Sequence, residues 1–342
     1  MRPFSLLTRL AGGLRSTSSA SSPAEHLERA RWAYRTILLR EPDSEEALAR
    51  FAAAHPTPQA LRDALLRSAE ARAQPGFPVL HTMTSDEPPQ VVQVAVAPAE
   101  RAELFRRVQA VWRALGETRP HWSVITHDEY GPENIARTEE AFYASGEHNV
   151  ATLLRTLARN GIDPARLRTV MDFGCGVGRL SVALARRFER VLSVDVSASH
   201  LTVAREALAR RGITNATTHQ LETIEGLAGL PRCDLVYSLM VLQHNPPPVI
   251  HALLAGLLER LAPGGLAVIQ LPTRLPDSYR FEVGAYLAGG GAGMEMHPLP
   301  QPEVFALARA AGVVVLEVLE DGWTGFGFGA RSNTFVLQRD AR

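Results

Sequence analysis

The chain contains no lysine, so its 36 basic residues are all arginine, and 36 acidic residues balance them. A formal net charge of zero argues against nucleic acid or another polyanion as the main ligand. The only two cysteines, Cys175 and Cys233, have a spacing that fits neither a metal site nor a disulfide framework. No apolar run approaches the roughly 20 residues of a membrane span. These absences predict a cytoplasmic protein in a reducing compartment, without a membrane span or a metal site.

Residues 1–22 contain no acidic residue. They do contain Arg2, Arg9, Arg15 and a serine cluster, a composition that mitochondrial transit peptides also show. Because arginine replaces lysine throughout the chain, these arginines carry little targeting information. We therefore predict a disordered N-terminus over residues 1–23.

The 342 residues, of which 46% are hydrophobic, suffice for about two domains with a sizeable core. Apolar residues recur with a period close to 3.6 over residues 24–73, which predicts a small all-helical domain. Asp43 and Glu46 are placed as a capping box for its second helix, and Thr57-Pro58 begins a third. Residues 74–98 form a proline-rich linker with one strand-like run, Val91 to Val96.

A helical segment is predicted over residues 99–165. Its first helix is expected to stop at Gly116, and two further helices are expected at Ile135–Ala144 and Glu147–Asn160. Aromatic residues alternate there with polar ones, which fits a lid over a binding site as well as it fits ordinary packing. The candidate substrate contacts of this lid are Trp122, Tyr130 and Tyr143.

From residue 166 onward, strands and helices alternate, which is typical of a parallel α/β sheet. The last two predicted strands are joined by a loop, so we expect them to form an antiparallel edge. The predicted fold is therefore α/β, with a doubly wound, mostly parallel sheet of seven strands. The strands are expected at 168–173, 190–195, 215–220, 233–240, 265–271, 313–319 and 333–338, and the helices between them at 179–188, 198–211, 247–261 and 301–311.

The first of these strands ends in a glycine turn that reads Asp172-Phe173-Gly174-Cys175-Gly176-Val177-Gly178. Alternate glycines allow positive φ and let a ligand approach main-chain atoms. The dinucleotide fingerprint would need its third glycine at position 179 or 181, where the chain has Arg179 and Ser181. The spacing thus excludes a nicotinamide-dependent oxidoreductase.

A second apolar strand, Val191 to Val194, ends in Asp195, about 20 residues after the turn. A carboxylate at this place is expected to bind the hydroxyls of a ribose. The alternative is that Asp195 caps the following helix, a role for which Ser197 and Ser199 compete.

The Asp-x-Gly-x-Gly-x-Gly pattern and the acid after the next strand resemble the first motifs of class I S-adenosylmethionine (SAM) methyltransferases. The turn Pro263-Gly264-Gly265 before the fifth strand extends the resemblance. It implies SAM as the cofactor, a Rossmann-like sheet, helices over 99–165 that cap the cofactor as in a group of bacterial members, and an acid after the third strand that accepts the adenine amino group. The implied cofactor-binding residues are Asp172, Gly174, Cys175, Gly176, Gly178, Asp195 and Glu222.

After the fourth strand, Val241-Leu242-Gln243-His244 resembles the Leu-x-His element of small-molecule methyltransferases. His244 is a candidate general base, or else a structural histidine at the start of a helix. The following Asn245-Pro246-Pro247-Pro248 differs from the motif of nucleic-acid amino methyltransferases, because Pro248 replaces the stacking aromatic and the motif lies too late. We therefore expect no nucleic-acid substrate.

A long irregular insertion over residues 272–300 follows the fifth strand, at the ligand-binding end of the sheet. Its candidate substrate contacts are Arg274, Tyr279 and His297. Together these features predict methyl transfer to an oxygen or nitrogen nucleophile of a small molecule or glycan.

Residues 24–73 resemble a small helical domain found in bacterial glycosyltransferases and surface-layer proteins. The resemblance implies an accessory module with a docking partner. The alternative function is therefore a non-catalytic SAM-binding protein that uses this module for docking.

Overall fold

The computed structural model describes residues 23–38, 40–57, 60–61, 64–65, 68–73, 90–276, 279–289, 293–323 and 330–341. Residues 1–22 of the predicted disordered stretch, Pro58 and most of the predicted linker lie outside the described residues, while Pro23 begins a helix. The chain divides into two compact units, Met1–Val79 and Leu80–Arg342. The predicted domain boundaries themselves stay predictions. Among the described residues, none of the helices combines the length and apolar character that a membrane span requires.

The first unit is helical where it is described. Helix α1 (Pro23–Ala33) continues into a π-helical turn over Tyr34–Leu38, and α2 (Glu45–Ala54) and α3 (Ala69–Ala73) follow. Its core contains Ala30, Leu48, Leu61 and Leu65. The predicted cap of α2 is wrong by one residue: Ser44 accepts the N–H of Ala47, while Asp43 pairs with Arg40.

The second unit contains one seven-stranded sheet with the order β3-β2-β1-β4-β5-β7-β6. Neighbours among β1 to β5 run parallel, and β7 lies antiparallel between β5 and β6. The predicted seven-stranded fold with an antiparallel C-terminal edge is confirmed. The strands are β1 Thr169–Phe173, β2 Arg190–Asp195, β3 Ala216–Gln220, β4 Cys233–Ser238, β5 Leu261–Arg274, β6 Val313–Asp321 and β7 Arg331–Arg339.

Helices cover both faces of this sheet, because alternate residues of the central strands point to opposite cores. Val170 of β1 packs in one core with Leu153 and Leu184, while Met171 packs in the other with Leu253. The helices of the second unit are α4 Pro98–Thr118, α5 Pro120–Val124, α6 Ile135–Arg159, α7 Arg179–Ala185, α8 Ala198–Arg210, α9 Pro247–Glu259, α10 Val283–Gly289 and α11 Gln301–Ala310.

Three expectations for the segment before the sheet were wrong. Residues 91–96 form no strand, α4 continues past Gly116 to Thr118, and the two predicted helices are the single helix α6. Gly116 and Gly146 allow close approach and do not end a helix. A Cβ at Gly116 would lie 2.6 Å from His200 Nδ1, and one at Gly146 would lie 2.4 Å from the Arg179 carbonyl oxygen.

Gly146→Ala tests this interpretation. The added methyl group has no room against the α7 backbone, so we expect the free energy of unfolding to fall by about 1–3 kcal/mol, measured by urea denaturation. Gly229→Ala is the matched control, because a Cβ there has no neighbour within 4 Å and φ is not positive. Equal stabilities of the two variants would contradict the close-approach role of Gly146.

Candidate functional site

The glycine turn leaves the carboxyl end of β1 at the centre of the sheet. Gly174, Gly176 and Gly178 all have positive φ, at 75°, 52° and 81°. The N–H groups of Gly174 and Cys175 both donate to the Val194 carbonyl, which fixes the turn to β2. A Cβ at Gly174 would lie 2.2 Å from Val241, and one at Gly176 would lie 2.6 Å from Val124. Only glycine fits these two places.

Asp195 closes the turn from the end of β2. Its carboxylate accepts the N–H of Gly176 at 2.8 Å and the N–H of Ser197 at 2.9 Å. The helix cap of α8 is Ser197, whose hydroxyl accepts the N–H of His200. Because the cap belongs to Ser197, the Asp195 carboxylate, which lines a cavity, keeps lone pairs for a ligand.

That cavity has a volume of about 350 Å³, within the usual range for small-molecule sites. The glycine turn and Asp195 line it together with residues that follow the carboxyl end of β4. Much of the remaining wall is apolar and comes from α4, the strand ends and two later segments. Its large apolar members include Trp112, Leu239, Met240, Met294, Met296 and Trp323.

His244 lines the same cavity, just after β4. Its Nδ1 lies 2.9 Å from the backbone carbonyl oxygen of Glu295, and its Nε2 lies 3.3 Å from the side-chain nitrogen of Gln243. The Trp112 ring packs edge-on against the His244 ring, with 5.3 Å between the ring centroids. Burial lowers the pKa of the His244 imidazole, so the ring is neutral at physiological pH.

Comparison with known proteins agrees with this geometry. The sequence family described as "Methyltransferase domain" matches residues 170–265. A ubiquinone biosynthesis O-methyltransferase of Nitrosospira multiformis is 30% identical over 186 residues, which cover 51% of this chain and 72% of that protein. The chain belongs to the class I SAM-dependent methyltransferases. The predicted family and its cofactor, SAM, are confirmed.

Other relatives match over less of their length. A ubiquinone biosynthesis O-methyltransferase of Psychrobacter arcticus is 32% identical over 118 residues, or 34% of this chain and 45% of that protein. The matches therefore span just under half the length of the first curated relatives. A magnesium protoporphyrin IX methyltransferase of Synechocystis aligns over 69% of this chain and all of its own, with 20% identity and a TM-score of 0.47.

The site contains one charged residue that sequence reasoning missed. Arg179, the first residue of α7, is 4% exposed and lines the cavity. Its guanidinium donates to Asn149 at 2.7 Å and Ser145 at 3.1 Å, and its Nε is buried without a partner among the described residues. Since both partners are neutral, the charge is available to a ligand carboxylate, such as that of SAM.

The residues present therefore fit SAM. The glycine turn offers a main-chain surface without side chains, Asp195 offers a carboxylate for ribose hydroxyls, and Arg179 offers a cation for the carboxylate. Cys175 also lines this end, and burial raises the pKa of its thiol well above the ordinary value, so the thiol stays protonated.

Three predicted cofactor residues do not line the cavity. Asp172 lies beneath the turn, 1% exposed, where its carboxylate accepts the Ser181 hydroxyl at 2.6 Å. Gly178 is the N-cap of α7, where a Cβ would lie 3.2 Å from Ala204 Cβ. The side chain of Glu222 is exposed, while its carbonyl accepts from Gln109. The adenine role of Glu222 stays a prediction.

The aromatic residues proposed for a lid also lie outside the cavity wall. The Tyr143 hydroxyl donates to the Val177 carbonyl, and Arg211 lies over its ring. Arg119 lies over the Trp122 ring, and Tyr130 packs edge-on against Phe142. These contacts are packing contacts. The neighbouring Ser123, Val124 and Thr126 line the cavity instead.

The three candidate substrate contacts of the insertion do not line the cavity. Arg274 is the last residue of β5, where it pairs in register with Arg331. Tyr279 and His297 support the cavity wall from behind. The Tyr279 hydroxyl lies 2.8 Å from His297 Nδ1, and His297 Nε2 lies 3.1 Å from the Glu295 carboxylate. These bonds hold the segment that carries Met294 and Met296. No sequence pattern marks those two methionines or Trp112 as cavity residues.

Asp172→Asn tests the cost of the charge beneath the turn. Burial raises the pKa of the Asp172 carboxyl from its ordinary 3.8 to about 6. The protonated Asp172 carboxyl therefore contributes fully to stability below pH 3.8, and this contribution is lost as the pH rises through 6. The free energy of unfolding falls by about 3 kcal/mol over this range. Because the variant lacks this titration, its unfolding free energy relative to wild type should rise by most of that amount between pH 4 and 7. A pH-independent difference would contradict the raised pKa.

Asp195→Asn tests the ribose role. Loss of charge-assisted hydrogen bonds should weaken SAM binding about ten- to a hundredfold, as measured by calorimetry. Glu222→Gln, at a side chain outside the cavity wall, tests the predicted adenine contact in the same assay, where a change below twofold would contradict that contact. A tenfold loss at position 222 would instead support the predicted adenine contact, and unchanged affinity in the Asp195 variant would contradict the ribose role.

Proposed function

We propose that this protein transfers the methyl group of SAM to a hydroxyl oxygen of a small molecule, with His244 as the general base. The observation that carries the proposal is the His244 ring in the cavity, with its Nδ1 against a backbone carbonyl. When bound, SAM supplies an electrophilic methyl group on a sulfonium. The chain has to bind the acceptor, orient it and take up its proton.

The base role follows from the hydrogen bonding of His244. A carbonyl only accepts hydrogen bonds, so Nδ1 carries the proton in the neutral ring and Nε2 has the lone pair, which faces the Gln243 amide nitrogen at 3.3 Å. Because burial lowers the pKa of this imidazole, the neutral form persists to lower pH than in an ordinary histidine. A neutral ring can accept the proton of a hydroxyl group at Nε2 once that hydroxyl replaces the Gln243 amide as its partner.

The cavity wall favours an apolar acceptor. The charged side chains that line it, among the described residues, are Asp195 and Arg179, and we assign both to the cofactor. Trp112, Met294 and Met296 then present rings and thioethers near His244. Such a wall suits a phenolic hydroxyl on an apolar body better than a glycan, which needs many polar partners. The relatives named as O-methyltransferases support oxygen as the nucleophile.

A non-catalytic SAM-binding protein is the second candidate, favoured only by the first unit, Met1–Val79, which is helical where it is described. That reading gives no reason for a base in the cavity. It predicts SAM binding without methyl transfer to any acceptor. A docking partner for the helical unit and a cytoplasmic location stay predictions.

His244→Gln separates binding from chemistry. We expect SAM affinity within twofold of wild type and methyl transfer to catechol at least about 100-fold slower, because proton acceptance is lost. Release of S-adenosylhomocysteine measures the rate, with protocatechuate and methyl glucoside as charged and glycan-like probes.

The matched control is His251→Gln, a partly buried histidine on α9 that does not line the cavity. It should retain wild-type activity. Transfer to methyl glucoside in preference to catechol would contradict the apolar acceptor. Full activity of the His244 variant would contradict the base role, and SAM binding without transfer to any probe would favour the second candidate.

A further inference from the structure

A chain of buried amide side chains leads from β5 to His244. Gln270 and Gln243 are 1% and 3% exposed. The Met240 N–H donates to Gln270 Oε1 at 2.7 Å, and Gln270 Nε2 donates to Gln243 Oε1 at 3.3 Å. Gln243 Nε2 then faces His244 Nε2 at 3.3 Å. The chain ends where His244 Nδ1 meets the Glu295 carbonyl.

The direction of donation along this chain follows from its two ends. A backbone N–H can only donate and a backbone carbonyl can only accept. Because Met240 N–H donates, the oxygen of Gln270 must face it, and the nitrogen of Gln270 must face the oxygen of Gln243. The nitrogen of Gln243 is thereby turned toward His244. Reversing either amide would place two donors or two acceptors together in a buried site.

The start of the chain is held in an unusual backbone conformation. Met240 has a φ of 58°, the only positive φ of a non-glycine residue among those described. It lies two residues after the end of β4 and lines the cavity. A side chain in this region costs free energy, so the surrounding contacts must hold it there. The hydrogen bond from the Met240 N–H to Gln270 Oε1 is one of those contacts, and it directs this N–H toward β5.

We propose that Gln270 is a positioning residue for His244: through Gln243 it presents an N–H donor to Nε2, which keeps that nitrogen unprotonated until the acceptor hydroxyl takes the place of this donor. This inference rests on the proposed function. Gln270 lies on β5 and does not line the cavity, so it acts only through Gln243. Its second partner, the Ser332 hydroxyl on β7 at 2.7 Å, anchors the amide plane.

The proposal is tested by the protonation state of His244, read by long-range ¹H–¹⁵N NMR on the full chain. His244→Gln identifies the signals among the 11 histidines. In the wild type we expect the neutral ring with its proton on Nδ1. His297, which pairs with Glu295, is the titratable neighbour that acts on this ring, so its signals are followed in the same titration.

Gln270→Met removes the amide at similar volume and without adding a charge. The Gln243 amide is then free to turn its oxygen toward Nε2, so we expect the pKa of His244 to rise by about one pH unit. Gln270→Glu keeps an acceptor for the Met240 N–H but cannot donate to Gln243, so the rise should be larger. If the methionine variant does not fold, Gln270→Leu, which also removes the amide without adding a charge, takes its place in the test. SAM affinity should stay within twofold in both.

Ser332→Ala is the matched control, because it removes the other partner of Gln270 and leaves the donor direction unchanged. It should keep the wild-type tautomer and titration. Wild-type tautomer and pKa in both Gln270 variants would overturn the proposal. A rise in the glutamate variant alone would also overturn it, because added charge explains that result. Since the readout needs no acceptor, the inference can stand or fall separately from the base role tested by activity.

Discussion

The carboxylate of Asp195 connects two elements that would otherwise be independent. It accepts an N–H from the glycine turn after β1 and another from the start of α8, so the ends of two parallel strands share one anion. Parallel strands have their carboxyl ends at the same edge of the sheet, so the Asp195 carboxylate lies close enough to bond to the turn after β1. Without the Asp195 carboxylate, the N–H of Gly176 would have no acceptor, and the glycine turn would lose its shape. The cavity depends on this contact because both groups line it.

Beneath the turn, a second carboxylate has a different role. Asp172 is out of contact with the cavity and is held by Ser181, which in turn accepts from Ser193 on β2. Two acids that look equivalent in the sequence are thus separated by burial: one is accessible to a ligand, and the other has a raised pKa and fixes α7 to the sheet. Arg179 lies between these environments, with neutral partners on one side and the cavity on the other.

The sheet, the glycine turn and Asp195 could be predicted because their signals are local: an apolar strand, a turn spacing and an acid at a strand end. Gly116 and Gly146 were misread because glycine gives the same signal for a helix end and for close helix packing. Which one applies depends on the neighbouring surface, here His200 and the Arg179 carbonyl, and that surface is distant in sequence. Tyr143 was assigned to a lid for the same reason, since its partner is the distant Val177 carbonyl.

The same dependence on residues distant in sequence limits what can be predicted about the chemistry of His244. Its position after β4 is visible in the sequence, but its protonation depends on a carbonyl 51 residues later and on an amide from β5. The carbonyl belongs to the backbone, so the identity of residue 295 does not encode it. Any side chain there would provide the same acceptor, provided that the segment keeps its path. The path is held by Tyr279, His297 and the Glu295 carboxylate, so those side chains affect the base through the position of the backbone.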